Sequence, residues 1–150
     1  MVRLVRHRGA RWGGTGGSGL VAVSERGSFH DQPAGFIHRY DVAAVVHLDR
    51  LGSATGSGLV AQQVSGGDSL FDLLVASAGR LNVEVTRGPA LLHDYQRLFK
   101  GQNGTLVVTW GNPAPALEGD TPDRIGARHL SRAAQAINLA LITAAHEPRY

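Results

Sequence analysis

The sequence predicts a single α/β domain with a mixed sheet: an antiparallel N-terminal half and a parallel C-terminal half in the order βαβαβα. Three observations indicate this fold class: period-two apolar patterns in the first half, strands alternating with helices in the second, and a length of 150 residues. Alternating strands and helices favour right-handed crossovers over a parallel sheet. A chain of this length buries roughly two thirds of its unfolded surface, so we expect one core.

The N-terminal residues are the most basic part of the chain. Residues 1–30 carry a net charge of +4 and the remaining residues a net charge of −1. We expect residues 1–19 to be a basic arm and a Gly-rich linker ("GGTGGSG"), and residues 20–150 to be the single α/β domain. The residues that would bind nucleic acid or another polyanion are Arg3, Arg6, Arg8, Arg11 and Trp12. The alternative is that "VRLV" is the first strand, with solvated arginines.

The middle of the chain contains two predicted strands and a helix. Apolar residues alternate from Phe36 to Asp49, which predicts a strand with one apolar face. "SLFDLLVASAG" predicts a helix with Ser69 as its N-cap and Gly79 as the left-handed residue that ends it. "LNVEVTR", residues 81–87, then predicts an edge strand with one solvated face.

The C-terminal third adds two helices and one strand. Pro89 and a single apolar stripe predict a helix that ends at Gly101. "TLVVTW", residues 105–110, predicts a central strand. Thr121 and Pro122 are typical of a helix start, and the last helix is predicted to run to about residue 145.

Glycines follow the apolar run "VAAVVHL" in the stretch "LGSATGSG". One interpretation is a hairpin-like connection between strands 42–48 and 59–64. The other is a phosphate loop, with a nucleotide in the crevice beyond the strand ends. The residues of that predicted nucleotide or NAD(P) site are Gly52, Gly56, Gly58, Trp110 and Asn112.

The same glycine spacing resembles the cofactor loop of short-chain dehydrogenases, and this resemblance implies a Rossmann-like enzyme that binds NAD(P). In such a fold the loop opens a long helix whose N–H groups face the pyrophosphate. Here only "LVAQQVS" follows before Gly66 and Gly67. The family's active-site Tyr and Lys lie four residues apart, whereas Lys100 follows Tyr95 by five, so the catalytic pair is absent. We therefore prefer the hairpin.

Every other candidate catalytic or metal site in the sequence lacks a residue that its chemistry requires. The chain has no cysteine, which excludes disulfides, thiolate metal ligands and a cysteine nucleophile. His38 and His47 would point to opposite faces of one strand, so they do not share a metal shell. "LVRHRGARW" resembles the nucleophile loop of histidine phosphatases, but Arg8 separates His7 from the glycine. We predict no metal and no cofactor, and leave open whether the protein is an enzyme.

These observations favour a binding or assembly domain without self-contained catalysis, whose partner the sequence does not identify. The alternatives are a Rossmann-like nucleotide or NAD(P) enzyme domain and a domain that binds nucleic acid or polyanions through its arm. No apolar run reaches the roughly 18 residues that span a bilayer, and no secretory segment follows the first arginines, so we expect a soluble, cytoplasmic protein with no membrane partner.

The last helix predicts self-association. Its core stripe would be Leu130, Ala133, Ile137, Leu141 and Ala144. Leu139 and Ile142 fall outside this stripe and need another cover. Two covers are open: the helix at residues 69–78 of the same chain, or a symmetric homodimer through Leu139 and Ile142.

Overall fold

The computed structural model describes residues 2–6, 18–22, 41–88, 104–111 and 124–146. In these ranges the elements are β1 (Val2–Arg6), β2 (Ser18–Ala22), β3 (Asp41–Leu48), β4 (Leu59–Ser65), α1 (Ser69–Gly79), β5 (Val85–Arg87), β6 (Thr105–Trp110) and α2 (Ala127–His146). The predicted helix from Pro89 to Gly101 and residues 36–40 of the predicted first long strand lie outside the described residues.

The described strands form one mixed sheet in the order β2-β1-β3-β6-β4-β5. β1 is antiparallel to both β2 and β3, and β3 is parallel to β6. β6 is antiparallel to β4, which is parallel to β5. The chain is therefore an α/β fold with a mixed sheet, as the sequence predicts.

The predicted parallel half, βαβαβα, is not what the described strands show. β4, α1 and β5 do form one parallel βαβ unit. β6 then enters between β3 and β4 and runs antiparallel to β4. Alternation of helices and strands along a sequence does not fix strand direction when a later strand is inserted among earlier ones. The central position of β6 was predicted, and all of its side chains are buried.

The first residues of the chain belong to the sheet. β1 lies between β2 and β3 and pairs with both, so the first-strand alternative describes Val2–Arg6 better than a separate arm. Ser18 and Gly19, at the end of the predicted linker, are the first residues of β2. Residues 7–17 lie outside the described residues.

The end of α1 differs from the prediction. Gly79 is the last helical residue, but the left-handed backbone falls on Asn82, with φ 52°. The Val83 N–H then donates to the Ala78 carbonyl at 2.9 Å. Because this turn uses the backbone groups that follow the helix, β5 begins only at Val85 rather than at residue 81. At the other end, Asp68 rather than Ser69 precedes the helix, and its side chain makes no capping bond.

The main core lies between α1, α2 and one face of the sheet, which we call the helix face. The buried residues of this cluster are Ala44, Val46, Leu59, Ala61, Leu70, Phe71, Leu74, Ala78, Val83, Leu106, Val108, Trp110, Ala133, Ala136, Ile137, Ala140, Leu141 and Ala144. The opposite face, which we call the second face, is buried too: Val45 and Val107 are 0% and 2% exposed but do not belong to this cluster. The middle of the sheet is therefore covered on both faces.

Candidate functional site

The glycine-rich stretch forms a loop, residues 49–58, which we call the glycine loop. It starts where β3 ends at Leu48 and leads into β4 at Leu59. β3 and β4 are not neighbours, because β6 lies between them, so the predicted hairpin is wrong. The loop instead crosses the end of β6 beside Trp110. Local sequence could not reveal this, since β6 follows 40 or more residues later in the chain.

The glycines of the loop lie against the protein's own backbone. A Cβ atom on Gly56, whose φ is 97°, would lie 2.7 Å from the Gly111 Cα. A Cβ atom on Gly58 would lie 2.5 Å from the Glu84 carbonyl oxygen. The Gly111 N–H also donates to the Gly58 carbonyl at 2.8 Å. Glycine is required here for close backbone approach, and the space that a phosphate loop leaves for its ligand is filled by the chain itself.

Trp110 holds the glycine loop in place. Its indole Nε1 donates to the Gly56 carbonyl at 3.3 Å, and its side chain is 1% exposed. The His129 ring stacks on the indole, with centroids 4.9 Å apart and an interplanar angle of 18°. His129 Nδ1 lies 3.0 Å from the Ser53 carbonyl oxygen. Because a carbonyl can only accept, Nδ1 carries the proton in this bond.

The segment directly before α2 pairs with the glycine loop. Ser53 and Ile125 form an antiparallel bridge, the Ala54 N–H donates to the Arg124 carbonyl, and the Gly126 N–H donates to the Gly52 carbonyl, both at 2.8 Å. This pairing holds Arg124–Gly126 out of the helix. α2 therefore begins at Ala127 and not near the predicted start, whose residues Thr121 and Pro122 lie outside the described residues.

The structure brings together most of the residues predicted for a nucleotide site. Gly52, Gly56, Gly58 and Trp110 meet in one place, while Asn112 lies outside the described residues. The meeting point is nevertheless densely packed, and the loop leads into a strand rather than into a helix. A ligand at this surface would contact the exposed residues 54–57 and not the ring of Trp110.

His129 is the member of this arrangement that the sequence did not reveal. A single histidine near a helix start has no distinctive spacing, and its partners Ser53 and Trp110 are far away in sequence. Two hydroxyls lie nearby on the loop, with Ser53 Oγ and Thr55 Oγ1 3.1 Å apart. The described contacts of His129 are with a ring and a carbonyl oxygen, and they position the loop rather than activate a nucleophile.

The predicted polyanion residues divide between described and undescribed parts. Arg3 and Arg6 lie in β1, where Arg3 is in register with Val21 and Val45. Arg8, Arg11 and Trp12 lie outside the described residues. Within the described ranges, no three His, Asp or Glu side chains are grouped to hold a metal ion. No helix in those ranges is long and apolar enough to cross a membrane.

The outer face of α2 is the second candidate surface. Ala133, Ile137, Leu141 and Ala144 are buried as predicted, but Leu130 is 43% exposed, so the core stripe starts later than expected. The turn that contains Leu130 begins beside the glycine loop, since the N–H of Gly126, directly before α2, donates to the Gly52 carbonyl.

Ile142 stays uncovered although α1 packs against α2. Its side chain is 55% exposed, whereas Leu139 is half-buried. The sequence from Ala133 to Ala145 contains no charged residue, so the exposed positions of this helix face carry only small, amide or aliphatic side chains. The helix α1 was one of the two predicted covers for this region, and it does not bury Ile142.

Comparison with known proteins adds no family to these observations. No family model matches the chain, and no curated protein or solved structure is significantly similar to it.

Proposed function

We propose that the protein is a binding and assembly domain without a self-contained catalytic site, and that it assembles as a homodimer through the outer face of α2. The observation that carries the proposal is the exposed Ile142 on a helix surface, residues 133–145, that contains no charged residue. Surface helices of monomers normally place charged residues on their outer face. An uncharged face with a large exposed aliphatic side chain is typical of a surface that another molecule covers.

A second copy of the chain is the simplest partner. In a two-fold dimer each α2 contacts the other, so Ile142 and Leu139 of both copies lie near one another. Ala145, a small residue about 60° from Ile142 around the helix, lets two helices approach closely on this face. Val75, on the neighbouring helix α1, is a further exposed aliphatic side chain, at 39% exposure. A stable interface covers about 800 Å² on each partner, so we expect both helices to contribute to it.

The energy supplied by Ile142 is modest. Full burial of an isoleucine side chain stabilises by about 1.5–3 kcal/mol, and just over half of this side chain is exposed. Each copy therefore gains about 1 kcal/mol from Ile142. A micromolar dimer needs about 8 kcal/mol in total, so the surrounding face must contribute most of the energy. We expect a micromolar dimer rather than a nanomolar one.

The packing of the glycine loop supports the absence of a nucleotide site. The glycines contact Gly111 and Glu84, and the side chain of Trp110 is buried. A dinucleotide would need a helix N-terminus directly after the glycines, where β4 begins instead. The second candidate, a nucleotide enzyme, would therefore require this loop to open, and we favour assembly.

The experiment is light scattering of the full chain over a concentration series. Ile142→Glu places a charge in the proposed interface and should give a folded monomer. Leu130→Glu is the matched control, because Leu130 is also exposed on α2 but lies roughly 120° away around the helix. It should leave the dimer intact.

Two outcomes would contradict the proposal. A wild-type chain that is monomeric at about 100 µM would exclude a dimer of the expected strength. A dimer that Leu130→Glu dissociates and Ile142→Glu does not would place the interface on another side of α2. Circular dichroism of each variant establishes that the fold is retained.

A further inference from the structure

We draw no further inference here: the strongest candidate, the surface patch of Arg124, Arg128 and Arg132 at the start of α2, lies at a helix N-terminus, and nothing in the described part of the chain shows what covers it.

Discussion

Substitution of Gly56 by alanine tests whether the glycine loop is a structural lock. Alanine at φ 97° is strained by about 1–2 kcal/mol. Its Cβ would lie 2.7 Å from the Gly111 Cα, which is backbone and cannot rotate away. The loop must therefore shift, and the bond from Trp110 Nε1 to the Gly56 carbonyl, worth about 1 kcal/mol, is lost. We expect the free energy of unfolding to fall by roughly 2–4 kcal/mol.

Thermal unfolding followed by circular dichroism measures this effect. For a chain of this size, 1 kcal/mol corresponds to about 2–4 °C, so Gly56→Ala should lower the Tm by about 5–15 °C. Gly67→Ala is the matched control: it has no positive φ, and a Cβ there meets no atom within 4 Å. Its Tm should be unchanged or slightly higher. A Gly56→Ala variant as stable as Gly67→Ala would refute the structural account of the loop.

Further predictions concern β1, His129 and nucleotides. Deletion of residues 1–6 should strongly destabilise the chain because β1 pairs with both β2 and β3, and an unchanged Tm would show that these residues are dispensable. His129→Ala should cost about 1–2 kcal/mol in urea unfolding, since it removes the stack on Trp110 and the bond to the Ser53 carbonyl, and wild-type stability would contradict this. NAD(P) and nucleoside phosphates should not bind, and saturable calorimetric binding that Gly56→Ala abolishes would restore the nucleotide hypothesis.

Parts of the fold with a strong local pattern could be predicted from sequence. The apolar run Thr105–Trp110 indicated a central strand, and β6 is buried along its whole length. The spacing of Ile137, Leu141 and Ala144 indicated the buried side of α2, and these residues lie in the core. Such patterns indicate which side of a helix or strand is buried, and they can be read from residues that lie close together in the sequence. They do not report which strands pair, and so the insertion of β6 between β3 and β4 was missed.

The candidate site shows the same limit. Gly56, Gly58 and Trp110 were predicted to lie together, and they do. The role of the two glycines could not be predicted from the sequence, because they make room for Gly111 and Glu84, which are distant in sequence. His129 contacts Trp110 from α2, and α2 begins only after the segment Arg124–Gly126, which pairs with the glycine loop. Long-range contacts of this kind leave no periodic signal in a sequence.

We propose that two copies of the chain meet through α2. The chain has no cysteine, so Ile142→Cys allows a single spin label to be attached at the proposed interface. Helices that pack together have axes 8–10 Å apart, and the dipolar coupling between the labels in the dimer should therefore give a distance on the order of 20 Å. A label on Leu130→Cys should give a longer or broader distance distribution. Absence of intermolecular coupling at position 142 under the same conditions would contradict the claim.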